Sequence, residues 1–507
     1  MFTFIRLNHL KAFFVLFTAS LFIYGCAGST GTKDSEPFAN TLPALSSRIA
    51  ARFDDTLFAN AHWGVLIKSL KTGKVLYERN SIKMFNPASN QKIPSAAAAL
   101  TVLGGDFTFK TDLCANGIIS DTLLDGDLIV FGQGDPTLYN HFFKDPRDLF
   151  RQWAGLLRQK GIKIITGNII GDDNAFDDEP YGMGWTFDDL DAWYSAEIGA
   201  LQLNENVIDL KIIPPAGISG HVVIEPNLPS SYFQLENFIT VSASGVNDVS
   251  FSRAFGTNKI ILKGNVVAGS KAFTKSPSLF NPTLFYVTVL KEVLQQEGIS
   301  VRGAAKDCDD LIGWKHTPAD FLLIDSHNSP KLRDILKEMM KRSQNLYAET
   351  MPRILGFKQS GLGSFAFGRK VVRQTLAKFG IAPDSYAYRD GSGLSRYDYI
   401  SPAQIVTILT SMKNGPDKDD WINSLPIAGV DGTLKARMKG TKAEGNVRAK
   451  TGTISNVRGL SGYVTTADGE DFVFSFIVNG HLKSDADNEK ITDSVLAMIA
   501  EFDRTVK

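Results

Sequence analysis

The sequence predicts an α+β fold in which one domain of helices and sheet is interrupted by a large β-rich insertion. A helical segment, a strand hairpin and a second helical segment follow one another in residues 43–106. Short strand-like segments, broken by Gly, Pro, Asn and Asp, then fill residues 107–320. Helical spacing returns in residues 321–507, which end in strands and a helix. A chain of 507 residues also exceeds what one hydrophobic core usually serves, so we expect more than one domain.

The N-terminus is typical of an exported protein. Arg6 and Lys11 precede the apolar run AFFVLFTASLFIYGC, which is too short for a comfortable membrane span and has the proportions of a secretory signal. We therefore predict a signal peptide over residues 1–25. A small residue before Cys26 resembles the site where bacterial lipoproteins are cleaved and acylated, which predicts a lipidated tether over residues 26–42. The alternative is an ordinary signal peptide with an incidental cysteine.

The composition disfavours two classes of protein. The 54 Lys and Arg balance the 54 Asp and Glu and are spread along the chain, which disfavours a nucleic-acid-binding protein. The seven histidines and three cysteines show neither C-x-x-C nor H-E-x-x-H spacing, so no metal site is visible. In an oxidising compartment Cys114 and Cys308 either form a disulfide or stay as thiols, and the sequence leaves both alternatives open.

Each predicted element follows from its residue pattern. LPALSSRIAARF has apolar residues at helical spacing, and WGVLIKSLKTGKVLYERN reads as two strands around a Thr-Gly turn. FNPASNQKIPSAAAAL then enters an alanine-rich helix. Frequent breaks between segments such as GDLIVFGQGDPTL, NVIDLKIIPP and KIILKGNVVAG predict one or two inserted β-containing modules. Near the end, SPKLRDILKEMMKRSQNLYAETM predicts an amphipathic helix, RAKTGTISNVRGLSGYVTTADGEDFVFSFIVNG predicts strands, and ITDSVLAMIAEF predicts a final helix.

Ser89 has two interpretations, a helix cap or a nucleophile. Residues i and i+3 share a helix face, so the amine of Lys92 can lie beside the Ser89 hydroxyl. A serine must lose its proton to attack a carbonyl, and a lysine accepts that proton only if burial or a neighbouring cation keeps the amine neutral. Ser89 is the only serine of the chain with a lysine three residues on. We interpret it as a nucleophile whose hydroxyl can also cap the helix.

Two Lys-Thr-Gly tripeptides compete for a second cation. The first, residues 71–73, stands where the hairpin must turn, so we interpret it as a turn. The second begins at Lys450 and continues through Thr451 and Gly452 to Thr453 in a predicted edge strand. It offers a cation, hydroxyl groups and a glycine that lets the backbone approach a ligand closely. We therefore favour the second tripeptide as functional.

Two Ser-x-Asn tripeptides also compete. Residues 326–328 are predicted to lie in a loop before Pro330. Ser343 and Asn345 instead follow the amphipathic helix and open the segment LYAET, so packed helices would flank and fix them. We favour this second tripeptide as functional.

The order Ser-x-x-Lys, Ser-x-Asn, Lys-Thr-Gly is that of class A β-lactamases and penicillin-binding proteins. Further segments, including NPASNQKI, ALQLNEN, RSQNLYAE, RDGSGLS and LPIAGVDGTLKARM, extend the likeness over nearly the whole chain. The sequence resembles the class C low-molecular-mass penicillin-binding proteins, the D-alanyl-D-alanine carboxypeptidase/endopeptidase family. The resemblance implies a penicillin-recognising domain, formed by residues 43–106 and 321–507, with a five-stranded antiparallel sheet between helices. Residues 107–320 would be the insertion between the first and second motifs.

The resemblance also implies a reaction. Ser89 would attack the carbonyl of the penultimate D-Ala of a peptidoglycan stem peptide, expel the terminal D-Ala and form an acyl-enzyme that water hydrolyses. Lys92 would be the base, and Ser343 and Asn345 would assist proton transfer and hold Lys92 and the substrate.

The third motif would complete the site. Lys450 and Thr451 would bind the terminal carboxylate, and the charge of Lys450 would help to keep Lys92 neutral. The backbone amides of Ser89 and Thr453 would form the oxyanion hole.

The resemblance implies no cofactor and places the protein in the bacterial periplasm, held to the membrane by a lipid. β-Lactams would be covalent inhibitors. Two alternatives remain: a serine β-lactamase, and a non-catalytic cell-wall-binding lipoprotein that keeps the fold.

Overall fold

The computed structural model of the protein describes residues 40–506. The predicted signal peptide, Cys26 and most of the tether lie outside the described residues. Within residues 40–506, no helix combines the length and the apolar character needed to cross a membrane.

The described residues contain ten α-helices, named α1 to α10 in chain order. Their bounds are Leu42–Phe53, Lys92–Leu103, Asp148–Gln159, Pro282–Gln296, Leu332–Lys341, Asn345–Ser360, Phe365–Lys378, Pro402–Asn414, Lys418–Ser424 and Asp485–Glu501.

They also contain eighteen strands, named β1 to β18. Their bounds are His62–Ser69, Val75–Arg79, Lys110–Ser120, Leu123–Gly132, Ile164–Ile165, Ile169–Asp172, Leu210–Ile213, Val223–Pro226, Gln234–Ser242, Asp248–Arg253, Lys259–Val267, Phe273–Lys275, Ser300–Val301, Ala305–Asp307, Leu322–Asn328, Arg448–Ile454, Val457–Thr465 and Asp471–Asn479.

Five strands from the two ends of the described chain form one antiparallel sheet. Its order is β16-β17-β18-β1-β2, and β1 lies beside β18 with His62 opposite Asn479. The hairpin β1–β2 turns at Thr72 and Gly73, as the sequence predicts. β16 is an edge strand, which confirms the prediction for the segment that carries Lys450.

Side chains of this sheet alternate between two apolar cores, because successive residues of a strand point to opposite faces. Val65 and Ile67 pack with residues of α1 and α10. Leu66 packs on the other face with residues of α2, α6 and α8. The sheet is therefore covered by helices on both faces, which is the α+β architecture that the sequence predicts.

The insertion has its own sheets and its own core. A seven-stranded sheet contains the path β13-β5-β4-β3-β15, with β6 and β14 attached at β4. Two three-stranded sheets have the orders β10-β11-β9 and β12-β7-β8. Two helices, α3 and α4, contribute Trp153 and Phe285 to the core of this region. Because the seven-stranded sheet includes β15, it continues to Asn328, beyond the predicted boundary at residue 320.

The prediction of a loop at residues 326–328 is wrong. Ser326, His327 and Asn328 form the end of β15 and pair with Asp112, Thr111 and Lys110 of β3. The tripeptide thus belongs to the sheet of the insertion, and the break that the sequence indicates comes only at residues 329–330.

The two remaining cysteines are buried thiols and do not form a disulfide. Cys114 and Cys308 lie in one small apolar cluster with Ile129 and Ile170. Burial raises the pKa of the Cys114 thiol to about 11. Of the two alternatives that the sequence leaves open, the structure has the free thiols.

Candidate active site

Ser89 lies in a short 3-10 turn, Ala88–Gln91, that continues directly into α2. Ala88 has a φ of 47°, a left-handed conformation that is uncommon for a residue with a side chain. The turn uses the backbone carbonyl of Ser89, which accepts from the backbone amide of Lys92, and no side chain caps α2. The sequence allows the Ser89 hydroxyl to cap the helix, but the N-cap residue of α2 is Gln91, so the hydroxyl is not used as a cap.

Lys92 is fully buried and its amine contacts three oxygens. Lys92 Nζ donates to Asn345 Oδ1 at 2.6 Å and to the carbonyl of Ser392 at 2.8 Å, and lies 3.0 Å from Ser89 Oγ. A neutral amine has two N–H groups and one lone pair. Since the amide and carbonyl oxygens can only accept, they take the two N–H groups and leave the lone pair for the Ser89 hydroxyl. This is the geometry that a base needs.

The surroundings of Lys92 favour its neutral form. Burial lowers the pKa of Lys92 to about 7, and the negative charges of Asp390 and Glu349 partly oppose this effect. A lysine in water has a pKa near 10.4 and is almost wholly charged at neutral pH. In this site a large fraction of Lys92 can accept a proton at neutral pH.

The second amine, Lys450, is also fully buried and contacts Ser343 rather than Ser89. Lys450 Nζ donates to Ser343 Oγ and to the carbonyl of Thr451, both at 2.8 Å. Burial lowers the pKa of Lys450 well below its usual value, and the positive charge of Lys92 lowers it further. The charge of Lys92 thus acts on Lys450, whereas the pKa of Lys92 is lowered by burial and not by the charge of Lys450 that the resemblance implies.

The Ser-x-Asn tripeptide occupies the junction between α5 and α6, as the sequence predicts. Ser343 has a φ of 60°, which turns the chain between the two helices. Asn345 accepts from Lys92 through Oδ1 and donates through Nδ2 to the carbonyl of Tyr194 at 2.7 Å. Both ends of this amide are therefore fixed, one by the base and one by the insertion.

The Lys-Thr-Gly strand passes very close to the nucleophile turn. A Cβ atom on Gly452 would lie 2.7 Å from the carbonyl oxygen of Pro87 and 3.2 Å from the amide nitrogen of Ser89. Only glycine leaves room for this approach. Thr451 Oγ1 donates to Thr433 Oγ1 at 2.8 Å, so its orientation is also set.

A cavity of about 490 Å³ opens over these groups. Its lining includes Ser89, Ser343, Asn345, Thr451 and Thr453, while the two buried lysines lie behind it. The insertion supplies one wall with Asp189, Trp193 and Tyr194. Three motifs that are far apart in the sequence therefore share one site with part of the insertion.

Several contributors could not be identified from the motifs. The carbonyl of Ser392 accepts from Lys92, and the amide of Ser392 donates to Glu349 Oε1 at 2.8 Å. Asp390 holds the same loop by accepting from the amides of Gly393 and Ser395 at 2.7 and 2.6 Å. Glu349 and Asp390 are fully buried. The segments RSQNLYAE and RDGSGLS contain these residues, but the loop acts through backbone atoms, which no residue pattern identifies.

One side-chain cluster in the insertion has the composition of a metal site. Ligand atoms of Asp173, Asp307, Cys308 and Asp309 all lie within 4.8 Å of one another. Burial and neighbouring carboxylates raise the pKa of Asp173 to about 7 and of Asp309 to about 6. Asp173 already accepts from Thr283 Oγ1 at 2.5 Å, and Asp307 accepts from Asn281 Nδ2 at 2.8 Å. Protonation and these hydrogen bonds reduce the repulsion between the carboxylates of the cluster without a metal ion. None of the four residues lines the cavity of Ser89.

Comparison with known proteins identifies relatives over most of the chain. The chain is 32% identical to the D-alanyl-D-alanine carboxypeptidase of Actinomadura sp. strain R39, over 91% of this chain and 85% of that one. It is 28% identical to the D-alanyl-D-alanine carboxypeptidase DacB of Haemophilus influenzae, over 92% of this chain and 94% of that one.

Solved structures extend the likeness to the fold. The crystal structure of penicillin binding protein 4 (dacB) from Haemophilus influenzae superposes with a TM-score of 0.76 at 27% identity, covering 90% of this chain and 99% of that one. The same protein in complex with a novel β-lactam gives a TM-score of 0.70 at 26% identity, covering 89% of this chain and 98% of that one. The predicted fold class is confirmed.

The model of the D-Ala-D-Ala carboxypeptidase 3 (S13) family matches residues 45–502. That range includes all three motifs and the insertion between the first and the second. The chain belongs to the D-Ala-D-Ala carboxypeptidase 3 (S13) family, as its resemblance to the class C low-molecular-mass penicillin-binding proteins implies.

Proposed function

We propose that this protein is a serine D-alanyl-D-alanine carboxypeptidase that hydrolyses the terminal D-Ala from peptidoglycan stem peptides. One observation carries the proposal: Ser89 Oγ lies 3.0 Å from a buried lysine whose pKa is lowered to about 7 and whose two N–H groups are already directed elsewhere. Family membership and the named relatives support the choice of substrate.

The first step is acylation. Lys92 takes the proton of Ser89 as the serine oxygen attacks the carbonyl of the penultimate D-Ala. Charge on the carbonyl oxygen is stabilised by the backbone amides of Ser89 and Thr453, and each such donor typically contributes about 3 kcal/mol. The proton then passes from Lys92, directly or through Ser343, to the nitrogen of the departing D-Ala, so that proton transfer is balanced.

The third motif binds the terminal carboxylate. Thr451 and Thr453 line the cavity and offer hydroxyl groups. Lys450 is too deeply buried to be a surface ligand, so its contribution is to hold Ser343 and Thr451 in place through the hydrogen bonds that its amine donates to Ser343 Oγ and to the carbonyl of Thr451. Water then hydrolyses the acyl-enzyme with Lys92 acting again as base. The endopeptidase reaction is the same cleavage with a cross-linking amine as the leaving group.

β-Lactams would acylate the same serine, and the adduct would persist. The H. influenzae relative has been solved in complex with a β-lactam, which supports this proposal. A class A β-lactamase deacylates through a glutamate and its water. Among the residues that line the cavity, the carboxylate is Asp189, and no glutamate is present. This composition favours a penicillin-sensitive carboxypeptidase over a β-lactamase.

The location follows from the N-terminal sequence. The predicted signal peptide, the predicted lipidation of Cys26 and a substrate in the cell wall support a periplasmic enzyme that is tethered to a membrane. Radiolabelled palmitate incorporation by cells that express the full chain, and its loss in Cys26→Ser, would test the anchor.

The test of the activity compares Ser89→Ala with Ser326→Ala, since Ser326 belongs to the competing tripeptide in β15. We expect wild type and Ser326→Ala to bind a fluorescent penicillin covalently and to release D-Ala from a peptide ending in D-Ala-D-Ala. Ser89→Ala should do neither. Rapid release of hydrolysed penicillin with no D-Ala would indicate a β-lactamase, and a wild type that is inert in both assays would indicate a wall-binding lipoprotein.

A further inference from the structure

Three consecutive residues of the insertion adopt the left-handed backbone conformation. Asn204, Glu205 and Asn206 have φ values of 55°, 56° and 55°, and all three are buried. Asparagine tolerates this conformation better than most residues, but for glutamate it is uncommon. Backbone strain of this kind persists only where the surroundings hold it, and it concentrates at functional sites.

The surroundings hold this turn from several sides. Asn206 Nδ2 donates to the carbonyl of Glu197 at 2.8 Å, and Asn204 Nδ2 donates to the carbonyl of Val207 at 2.7 Å. Asn227 Nδ2 donates to Asn204 Oδ1 at 2.8 Å. The two asparagines therefore fix the backbone, and the side chain of Glu205 between them is directed out of the insertion.

That side chain binds both neighbours of Ser343. Glu205 Oε1 accepts from Arg342 at 2.6 Å, and Glu205 Oε2 accepts from Arg342 at 3.1 Å and from Gln344 Nε2 at 2.5 Å. The same Gln344 accepts through Oε1 from the amide of Leu346 at 3.0 Å, at the start of α6. The Glu205 carboxylate thus accepts hydrogen bonds from the residues before and after the serine of the second motif.

We infer that Glu205 is a positioning residue of the acyl-transfer site, which holds Ser343 in the left-handed turn where its hydroxyl meets Lys450. The inference rests on the proposed function. Ser343 itself has a φ of 60°, and its Oγ accepts from Lys450 Nζ at 2.8 Å. A rotation at residue 343 would break that contact and shift Asn345, which is hydrogen-bonded to Lys92.

The position of Glu205 argues for an indirect action. It lines a neighbouring cavity with Arg342 and Gln344, which meets the main cavity at Trp193, whereas Ser89 and Ser343 line only the main one. Both carboxylate oxygens of Glu205 are already bound by Arg342 and Gln344, so an effect of Glu205 on the reaction would pass through these two neighbours of Ser343. A salt bridge that only joined the insertion to the rest of the molecule would affect stability alone, while a positioning residue affects the rate of acylation through Ser343.

The experiment compares Glu205→Gln with Glu297→Gln in the full chain. Glu297 accepts from Arg158 at 3.0 Å elsewhere in the insertion and is the matched control. We expect Glu205→Gln to lower kcat for D-Ala release and the rate of penicillin acylation about tenfold or more, because a small misplacement of a catalytic group is costly. KM should change little, Glu205→Asp should recover part of the rate, and Glu297→Gln should match wild type.

A double-mutant cycle with Ser343→Ala separates positioning from stability. If Glu205 acts through Ser343, Glu205→Gln should have almost no further effect once the serine hydroxyl is removed. An equal loss of rate in both backgrounds, or a Glu205→Gln variant with the kcat of wild type, would overturn the inference.

Arg342→Lys is the milder variant if Glu205→Gln does not fold. It keeps the charge, loses the two-pronged contact, and should lower kcat in wild type but not in Ser343→Ala; an unchanged kcat would also overturn the inference. A wild type that neither binds penicillin nor releases D-Ala would instead refute the proposed function. If wild type and Glu205→Gln are acylated by penicillin at the same rate, only the role of Glu205 is refuted.

Discussion

Two copies of the tripeptide Lys-Thr-Gly have opposite surroundings in this protein. Lys71 is exposed at the turn between β1 and β2. Lys450 is fully buried on the edge strand β16, where its amine meets Ser343. A Cβ atom on Gly73 would meet only Lys68 Cε at 3.8 Å, whereas one on Gly452 would collide with Pro87. The chemistry of this tripeptide therefore comes from what surrounds it.

The strongest test of this comparison replaces each lysine in turn. Lys450→Ala should lower the rate of acylation by a fluorescent penicillin by about a hundredfold or more, because it removes the amine that donates to Ser343 Oγ and so misplaces the second motif. Lys71→Ala should acylate at the rate of wild type. Similar losses in the two variants would show that burial does not distinguish the two tripeptides.

The second largest difference in acylation rate is expected between variants of the two glycines, Gly452 and Gly73. Gly452→Ala should lower the acylation rate about thirtyfold, since its Cβ would push the strand away from the Ser89 turn. Gly73→Ala has room but a φ of 72°, so it should lower the free energy of unfolding by about 1–2 kcal/mol and leave acylation of the folded protein unchanged. Denaturant titration and stopped-flow labelling measure the two effects; an unimpaired Gly452→Ala would contradict the close approach.

The pH dependence of the acylation rate also distinguishes the buried lysines from the exposed Lys71, because only a buried amine acts as the base. Burial lowers the pKa of Lys92 to about 7, and the base must be neutral to accept a proton. The acylation rate should therefore fall about tenfold for each pH unit below 7 and level off above it, in wild type and in Lys71→Ala alike. A flat profile between pH 5 and 8 would exclude Lys92 as the base.

The smallest effect is expected for the two threonines, Thr451 and Thr72, and it should appear in KM. Thr451→Val removes a hydroxyl that lines the cavity and should raise KM for the D-Ala-D-Ala peptide about fivefold, as expected for the loss of one hydrogen bond worth about 1 kcal/mol. Thr72→Val in the exposed turn should leave KM unchanged. Steady-state D-Ala release measures both, and equal KM values would mean that Thr451 does not contact the substrate.

The features that depend on residues close together in the sequence could be predicted from the sequence alone. Residues three apart share a helix face, and the structure brings Lys92 to Ser89. Two strand-like segments around a Thr-Gly turn predicted the hairpin, and the antiparallel pairing of β1 with β2 confirms it. The same reasoning failed at Ser326, because pairing with β3 overrides the local signals for a loop. It did not predict where α2 begins, because the 3-10 turn Ala88–Gln91 comes first and makes Gln91 rather than Ser89 the N-cap residue.

The parts of the site that sequence did not predict are held by long-range or backbone contacts. Glu205 and Arg342 are 137 positions apart, and Tyr194 and Asn345 are 151 apart. The contribution of Tyr194 is a carbonyl oxygen, which every residue has, so no residue type could indicate it. Contacts of this kind depend on how the insertion packs against the helices, and no residue pattern in a single sequence predicts that packing.

The pairing of β1 with β18 has a consequence for how the enzyme is made. β1 leaves the ribosome early, yet its partner is nearly the last strand to be synthesised. The insertion can fold on the way, because its contacts are closer in sequence, whereas the central sheet must wait for the end of the chain. A nascent or prematurely terminated chain would thus lack the completed sheet and the Lys450 strand beside Ser89, so that the serine could react only after synthesis of the whole chain.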